Sequence, residues 1–248
     1  MKRIEILGCP VDAVTMDETL TIIDEAIKSR KPLHHVVVNA AKLVDMQKSR
    51  ELREAVVSSD LINADGQAVV WASRILKRPL PERVAGIDIM QNLVSLAHKK
   101  GYKIFFFGAK EEVVAKVAER YSREYSPDII AGYRNGYFTK EEEPLIARKI
   151  ADSKADILFV AISSPVKEIF LNTYKDIIET PFIMGVGGSF DVVAGKVKRA
   201  PLWVQKCGLE WFFRFLQEPR RMWKRAFLTN GRFVGYVLGE YFRQGDKK

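Results

Sequence analysis

Seven short apolar runs recur along the first 195 residues, and each is followed by a stretch with helical spacing of its apolar positions. That alternation constrains the fold more than any other feature, because strands separated by helices pair in parallel with helices on both faces. The runs predict strands at Ile4–Leu7, His35–Val38, Leu61–Ala64, Ile104–Phe107, Ile129–Ala131, Ile157–Ala161 and Phe182–Val186. The intervening patterns predict helices at Met16–Lys28, Lys42–Val57, Gln67–Leu76, Asp88–Lys99, Glu111–Tyr125, Lys140–Ser153 and Val166–Ile178. Thr139 with Glu142 three residues on reads as a capping box for one of them. The expected fold class is α/β, a Rossmann-like, largely parallel sheet flanked by helices.

Past Gly195 the character of the chain changes. From Lys196 onward there are 13 Lys and Arg against 4 Asp and Glu, which leaves 27 of each sign for residues 1–195. The whole net charge of +9 therefore sits in the last 53 residues, together with Trp203, Trp211 and Trp223 out of four tryptophans. The expected division is an α/β catalytic core over residues 1–195 and a basic, aromatic, helical, membrane-associating appendage over 196–248. Pro201 and Pro219 punctuate short helices there. Such asymmetry points to an anionic partner, a lipid surface or nucleic acid. Two cysteines give no disulfide framework, the N-terminus has no signal-peptide run, and no stretch nears the roughly 18 apolar residues of a spanning helix. These point to a cytoplasmic protein, soluble or peripheral.

In an open parallel sheet, ligands bind beyond the carboxyl ends of the strands. Four places there, or in the tail, could carry chemistry. Asn39 follows the strand HHVVV and suits either a sugar contact or a helix N-cap. Asp65 in NADGQAVV is either a cap or a general base for an attacking hydroxyl. Gly185, Gly187, Gly188 and Ser189 form either a diphosphate cradle or a tight turn; the spacing is neither a dinucleotide fingerprint nor a P-loop. Arg214, Arg220, Arg221, Lys224 and Arg225, interleaved with aromatics, are either phosphate-binding forks or a solvated face. No Asp-x-Asp pair and no HExxH occurs, so neither a metal nor another cofactor is expected. His34, His35 and His98 read as structural.

The blocks VNAAKLV, NADGQAVVWAS, LPERVAGIDIM, FFFGAKEEV, GYRNGYFTKEEE, GVGGSFDVVAGKVKRAP and GLEWFFRFLQEPRR occur in that order, and together they resemble the WecG/TagA/CpsF family of bacterial glycosyltransferases over about residues 3–225. The resemblance implies an inverting, metal-independent transferase of cell-surface polysaccharide synthesis. Its donor would be a UDP-sugar, often N-acetylmannosamine or its uronic acid. Its acceptor would be N-acetylglucosamine on undecaprenyl diphosphate, joined by a β-1,4 link. It implies Asp65 as general base, Asn39 as a pocket residue and Arg83 as an active-site cation. Arg214 and Arg221, with Lys224 or Arg225, would close over the diphosphate. Where family members read Gly-Ala/Ser-Pro-Lys-Gln-Glu, this chain has Ser163, Lys167 and Glu168, and Val37 stands where threonine is usual. These departures fall on the expected sugar pocket and leave another hexose or hexuronic acid donor, or a non-catalytic nucleotide-sugar binder, as alternatives. The expected setting is the inner face of the cell membrane, on an anionic surface, without nucleic acid; self-association is left open.

Overall fold

The computed structural model describes residues 2–223 and 228–245. Six strands form one parallel sheet: β3 (Leu33–Val38), β4 (Leu61–Ala64), β5 (Ile104–Gly108), β6 (Ile130–Arg134), β7 (Ile157–Ala161) and β8 (Phe182–Gly185), in the order β4-β3-β8-β7-β5-β6. Strands with helices on both sides bury both faces, which is why these runs read as nearly continuous apolar segments. The pleat then sorts them. Ile104, Phe106, Ile157, Phe159, Phe182 and Met184 point to one side, under α1 (Met16–Ser29), α5 (Gly86–Lys100), α6 (Glu111–Glu124) and α9 (Ser189–Val193). Phe105, Phe107, Leu158, Val160 and Ile183 point to the other, under α7 (Glu143–Asp152) and α8 (Val166–Ile178). On that second side Val36, Val38, Ile62 and Ala64 continue the core beneath α2 (Ala40–Met46), α3 (Arg50–Val57) and α4 (Gln67–Ile75).

Three local expectations are corrected. The segment around Ile4 is not a strand of the main sheet. It is β1 (Arg3–Ile6), paired antiparallel with β2 (Cys9–Asp12) in a separate hairpin. The two-residue turn puts Leu7 and Gly8 at φ 52° and 72°, the signature of the primed turns that hairpins favour. The expected helix over Lys42–Val57 is broken at residues 47–49, because Ser49 accepts a hydrogen bond from Leu52 N at 3.2 Å and starts α3 afresh. The helix after Thr139 opens with a 3-10 turn, Lys140–Glu142, before α7 begins. The capping residues behave as expected there: Thr139 N donates to Glu142 Oε2 at 2.7 Å.

The tail folds as α10 (Leu202–Lys206), α11 (Glu210–Gln217), α12 (Pro219–Trp223) and α13 (Asn230–Gly245). It does not hang free of the core. Phe233 and Val237 on α13 join the cluster formed by α2, α4 and the hairpin. Glu240 Oε2 accepts from Leu7 N at 2.8 Å, and its Oε1 accepts from Arg78 Nη1 at 2.9 Å. Gln47 Nε2 donates to Leu7 O at 2.8 Å. Both polar groups of the strained Leu7 are thus held by side chains, one of them 233 residues away. No described helix is long and apolar enough to cross a membrane.

Glu240→Ala removes an anionic acceptor from a half-buried N–H and from Arg78. It should lower unfolding free energy by about 1.5–3 kcal/mol, the range for hydrogen bonds to charged groups. Urea unfolding monitored by circular dichroism measures this; a midpoint unchanged from wild type would show that the latch contributes nothing.

Candidate active site

The carboxyl ends of β4, β3, β8 and β7 are neighbours in the sheet, so the loops that leave them crowd into one place. Those loops carry Asp65, Asn39, residues 185–189 and residues 163–168 respectively. The arrangement follows from parallel pairing, with Val37 and Val38 level with Asn63 and Ala64 and Val160 level with Gly185.

Asp65 sits directly after β4. Its backbone N–H donates to Val38 O at 2.9 Å, and its Oδ1 accepts from Gly86 N, the first residue of α5, at 3.0 Å. No hydrogen bond to Oδ2 forms among the described residues. Asp65 does not cap α4, whose N-cap is Gly66 without any side-chain bond. Burial raises the Asp65 carboxyl above its ordinary value, against the Gly86 hydrogen bond and the charges of Arg83 and Lys42, with Glu210 adding to the rise. A carboxylate made more basic in this way accepts a proton more readily. Gly86 is closely covered: a Cβ there would lie 3.2 Å from Met184 and 3.4 Å from Val37, so Val37 packs behind the peptide that holds the base.

Asn39 is the N-cap of α2, its Oδ1 accepting from Lys42 N at 3.1 Å. Its NH2 group makes no hydrogen bond among the described residues, so the cap role leaves a donor for a ligand. Lys42, on the same turn, donates from Nζ to Glu168 Oε1 at 2.8 Å, and Lys167 Nζ lies 3.3 Å from the same oxygen. Burial alone would raise the Glu168 carboxyl; Lys42 and Lys167 override it and hold it down at about 2. Burial and the Lys42 charge pull Lys167 down to about 8, with Glu168 only partly restoring it. The methylenes of Lys167 fill the space a Cβ would need at Gly185, which accounts for glycine there. Arg214 does the same at Gly188, its Nη2 lying 2.5 Å from where a Cβ would stand. Gly187 takes φ 54°, and Ser189 spends its hydroxyl proton on Val186 O at 2.7 Å.

The tail meets the core through one face of α11. Glu210, Arg214 and Gln217 recur at helical spacing on one side of the helix, the first two half-buried and Gln217 exposed. Gln217 exchanges hydrogen bonds with the Lys198 backbone at 3.1 and 3.0 Å. Arg214 reaches the glycine loop, and its buried Nε has no hydrogen-bond partner among the described residues. Glu210 Oε2 accepts from Arg83 Nη1 at 2.8 Å. Arg199 grips Asp88, on the first turn of α5, with contacts of 2.7 and 2.8 Å. The opposite face of α11 presents Trp211, Phe212 and Leu216 to solvent.

The structure therefore gathers Asp65, Asn39, Arg83, Lys167, Glu168, the glycine loop and Arg214. Arg221 lies in α12 with its side chain outside the described atoms, and Lys224 and Arg225 lie outside the described residues. Lys42, Asp88, Arg199 and Glu210 were missed by sequence reasoning. Lys42 could have been found three residues after Asn39, on the same helical turn; nothing local marks the others. Both core histidines are structural in character: His35 Nε2 is 2.8 Å from Asn63 Oδ1, and burial takes both rings down to about 4. No cluster of His, Cys, Asp or Glu suited to a metal occurs among the described residues.

Asp65, a glycine loop faced by an arginine fork and the loops at the carboxyl end of a parallel sheet thus meet in one place. The sequence model of the Glycosyl transferase WecG/TagA/CpsF family matches residues 4–247, and the chain belongs to that family of glycosyltransferases. It is 40% identical over 193 residues to an N-acetylglucosaminyldiphosphoundecaprenol N-acetyl-beta-D-mannosaminyltransferase of Bacillus subtilis strain 168, covering 78% of this chain and 74% of that one. It is 41% identical over 186 residues to the enzyme of the same name from Bacillus spizizenii strain W23, covering 75% and 71%.

Lys42 and Lys167 share Glu168 unequally, and substitution should show it. Lys42→Met, which leaves Glu168 only the longer contact, should cost about 3 kcal/mol, the lower end for breaking a buried pair. Lys167→Gln should cost clearly less, since it removes a buried charge and leaves the 2.8 Å bond in place. Chemical denaturation at pH 7 compares them; equal losses would mean that the two lysines hold the carboxylate alike.

Proposed function

We propose that this enzyme transfers an N-acetylmannosamine-type sugar from its UDP derivative to N-acetylglucosamine on undecaprenyl diphosphate, with inversion. The observation that carries the reading is Asp65: half-buried, raised in pKa, pinned through one oxygen by Gly86 N, and set among cations. The relatives' names supply the transferred sugar and the lipid-linked acceptor, and the UDP carrier rests on the family resemblance.

In this reading the acceptor hydroxyl gives its proton to Asp65 as its oxygen attacks the anomeric carbon. The bond from that carbon to the diphosphate oxygen breaks on the opposite face, and UDP leaves with the electron pair. The charge gathering on the diphosphate needs preorganised donors. Arg214 stands ready for that, its guanidinium lying on Gly188 with an open Nε. Arg221, Lys224 and Arg225 are further candidates for the same task. Asn39 offers its NH2 group to the sugar. The core of residues 1–195 would hold the donor, and the segment 196–248 would both complete the site and rest on an anionic bilayer at the inner face of the membrane. The exposed Trp203, Trp211, Phe212, Leu216 and Trp223 and the local excess of cations support that placement. A second reading, an acidic donor such as a hexuronic acid, is favoured by Lys167, whose buried ammonium stands at Gly185 where relatives of this family usually carry an amide.

Asp65→Asn should lower kcat by about 100-fold or more, the usual share of a general base, with UDP binding retained by calorimetry. Transfer within tenfold of wild type would remove Asp65 from that role. Lys167→Gln, assayed with a panel of UDP-sugars on a synthetic lipid-diphosphate acceptor, should change the order of donor preference. An unchanged order and unchanged KM values would show that Lys167 does not read the sugar.

A further inference from the structure

We propose that Glu210 is a positioning residue, through which the docking of α11 sets the Arg83 guanidinium beside Asp65. Arg83 stands in the segment between α4 and α5, 127 residues from Glu210, and is 16% exposed. The bond to Glu210 is the only hydrogen bond its guanidinium makes among the described residues. A solvated surface pair would contribute little and would position nothing. This pair differs in being sunk between two parts of the chain, with a third member at hand. Arg199 Nε is buried without a hydrogen-bond partner and lies 3.8 Å from Glu210 Oε1. A shift of under about 1 Å would close that gap to hydrogen-bond length.

The connections form a ring. Glu210 holds Arg83 and faces Arg199; Arg199 is clamped to Asp88; Asp88 lies two residues past Gly86, whose N–H holds Asp65. Moving α11 therefore disturbs the base from two directions, by charge through Arg83 and by backbone through the start of α5. Any phosphate that draws Arg83 to itself must also compete with Glu210, which would then be free to turn to Arg199. This makes the carboxylate a sensor of whether the tail helix is docked.

The charges acting on Asp65 come from every side. Lys42 on α2 and Lys167 on α8 act on it, both neutralised in part by Glu168, as do Arg83, Arg199 and Glu210. Among these, Glu210 raises the Asp65 carboxyl, while Arg83 lowers it. Neutralising Glu210 removes a repulsion and also leaves the Arg83 charge uncompensated. Both effects move Asp65 in the same direction, downward. Neutralising Arg199 should move it upward.

The test rests on the proposed role of Asp65 for its importance but not for its readout. The carboxyl 13C resonance of Asp65, assigned by its absence in Asp65→Asn, is titrated by NMR in the full-length protein. Glu210→Gln keeps an acceptor for Arg83 and should shift its midpoint to lower pH, whereas Glu210→Ala releases Arg83 and should leave the midpoint at least about 0.3 unit above that of Glu210→Gln, a twofold difference in ionisation constant. Arg199→Gln should shift it to higher pH. The acidic limb of the kcat/KM profile should follow both. Equal midpoints in Glu210→Gln and Glu210→Ala would overturn the proposal, as would a loss of activity with an unmoved acidic limb. Should Glu210→Ala not fold, Glu210→Ser takes its place, with the same gap above Glu210→Gln expected and its absence ending the proposal. A wild-type protein that transfers no sugar would refute the proposed function while leaving the titration result to stand.

Discussion

Parallel pairing of β4, β3, β8 and β7 is what brings the reacting groups together. Four strands run the same way, so their four following loops emerge on one edge, and residues as distant in sequence as Asn39 and Gly188 share it. The sheet can hold that edge still because both its faces are buried, with Phe106, Phe159 and Phe182 at 0% exposure on one side. Packing of that density leaves little room for a strand to slide, and a slip of one residue would move each core side chain to the opposite face, where the packing does not fit it. The positions of Asp65 and the glycine loop are thus consequences of core packing well away from them.

Charge at that edge is nearly cancelled before any substrate arrives. Asp65, Asp88, Glu168 and Glu210 are matched by Lys42, Arg83, Lys167 and Arg199, four of each sign. Ions out of water persist when paired, and all of these but Asp65, which is held by the Gly86 N–H, have an ion-pair partner. A diphosphate entering such a site is not drawn by loose surplus charge inside it. The attraction must come from Arg214 and from the cation-rich tail beyond, which carries the protein's entire excess.

Much of this was legible in the sequence, for physical reasons that also mark where legibility stopped. Asp65, Asn39 and the glycine loop could be found because each lies immediately after an apolar strand, and strand ends are read from local pattern. Arg214 could be suspected from its company of aromatics. The hairpin was half missed because β2 reads Cys-Pro-Val-Asp, with a proline that argues against a strand, and because its turn places a leucine in the left-handed region. That conformation is held from outside by Glu240 and Gln47, and no local signal announces a partner 233 residues away. The Arg83–Glu210 pair was hidden for the same reason. Ion pairs between distant segments are decided by the tertiary fold, and a sequence shows only that both charges exist.

The tail illustrates how one short helix can serve two surroundings at once. On α11, Glu210, Arg214 and Gln217 follow the spacing of one face, and Trp211, Phe212 and Leu216 occupy the other. Apart from the half-buried Phe213, the inner face is polar, with Glu210 and Arg214 reaching core groups; the outer face is apolar and open. This is the reverse of a helix on a soluble protein, whose apolar side turns inward. The inversion makes sense if the core side offers arginines, a glycine loop and backbone carbonyls, and if the outer side meets lipid instead of water. α13 resolves the same conflict differently, burying Phe233 and Val237 in the core while exposing Val234, Leu238 and Phe242. With α13 pinned to the hairpin by Glu240, the chain on both sides of residues 224–227 is fastened to the core. A bilayer that engaged the outer faces would press on the same helix whose inner face holds Arg83.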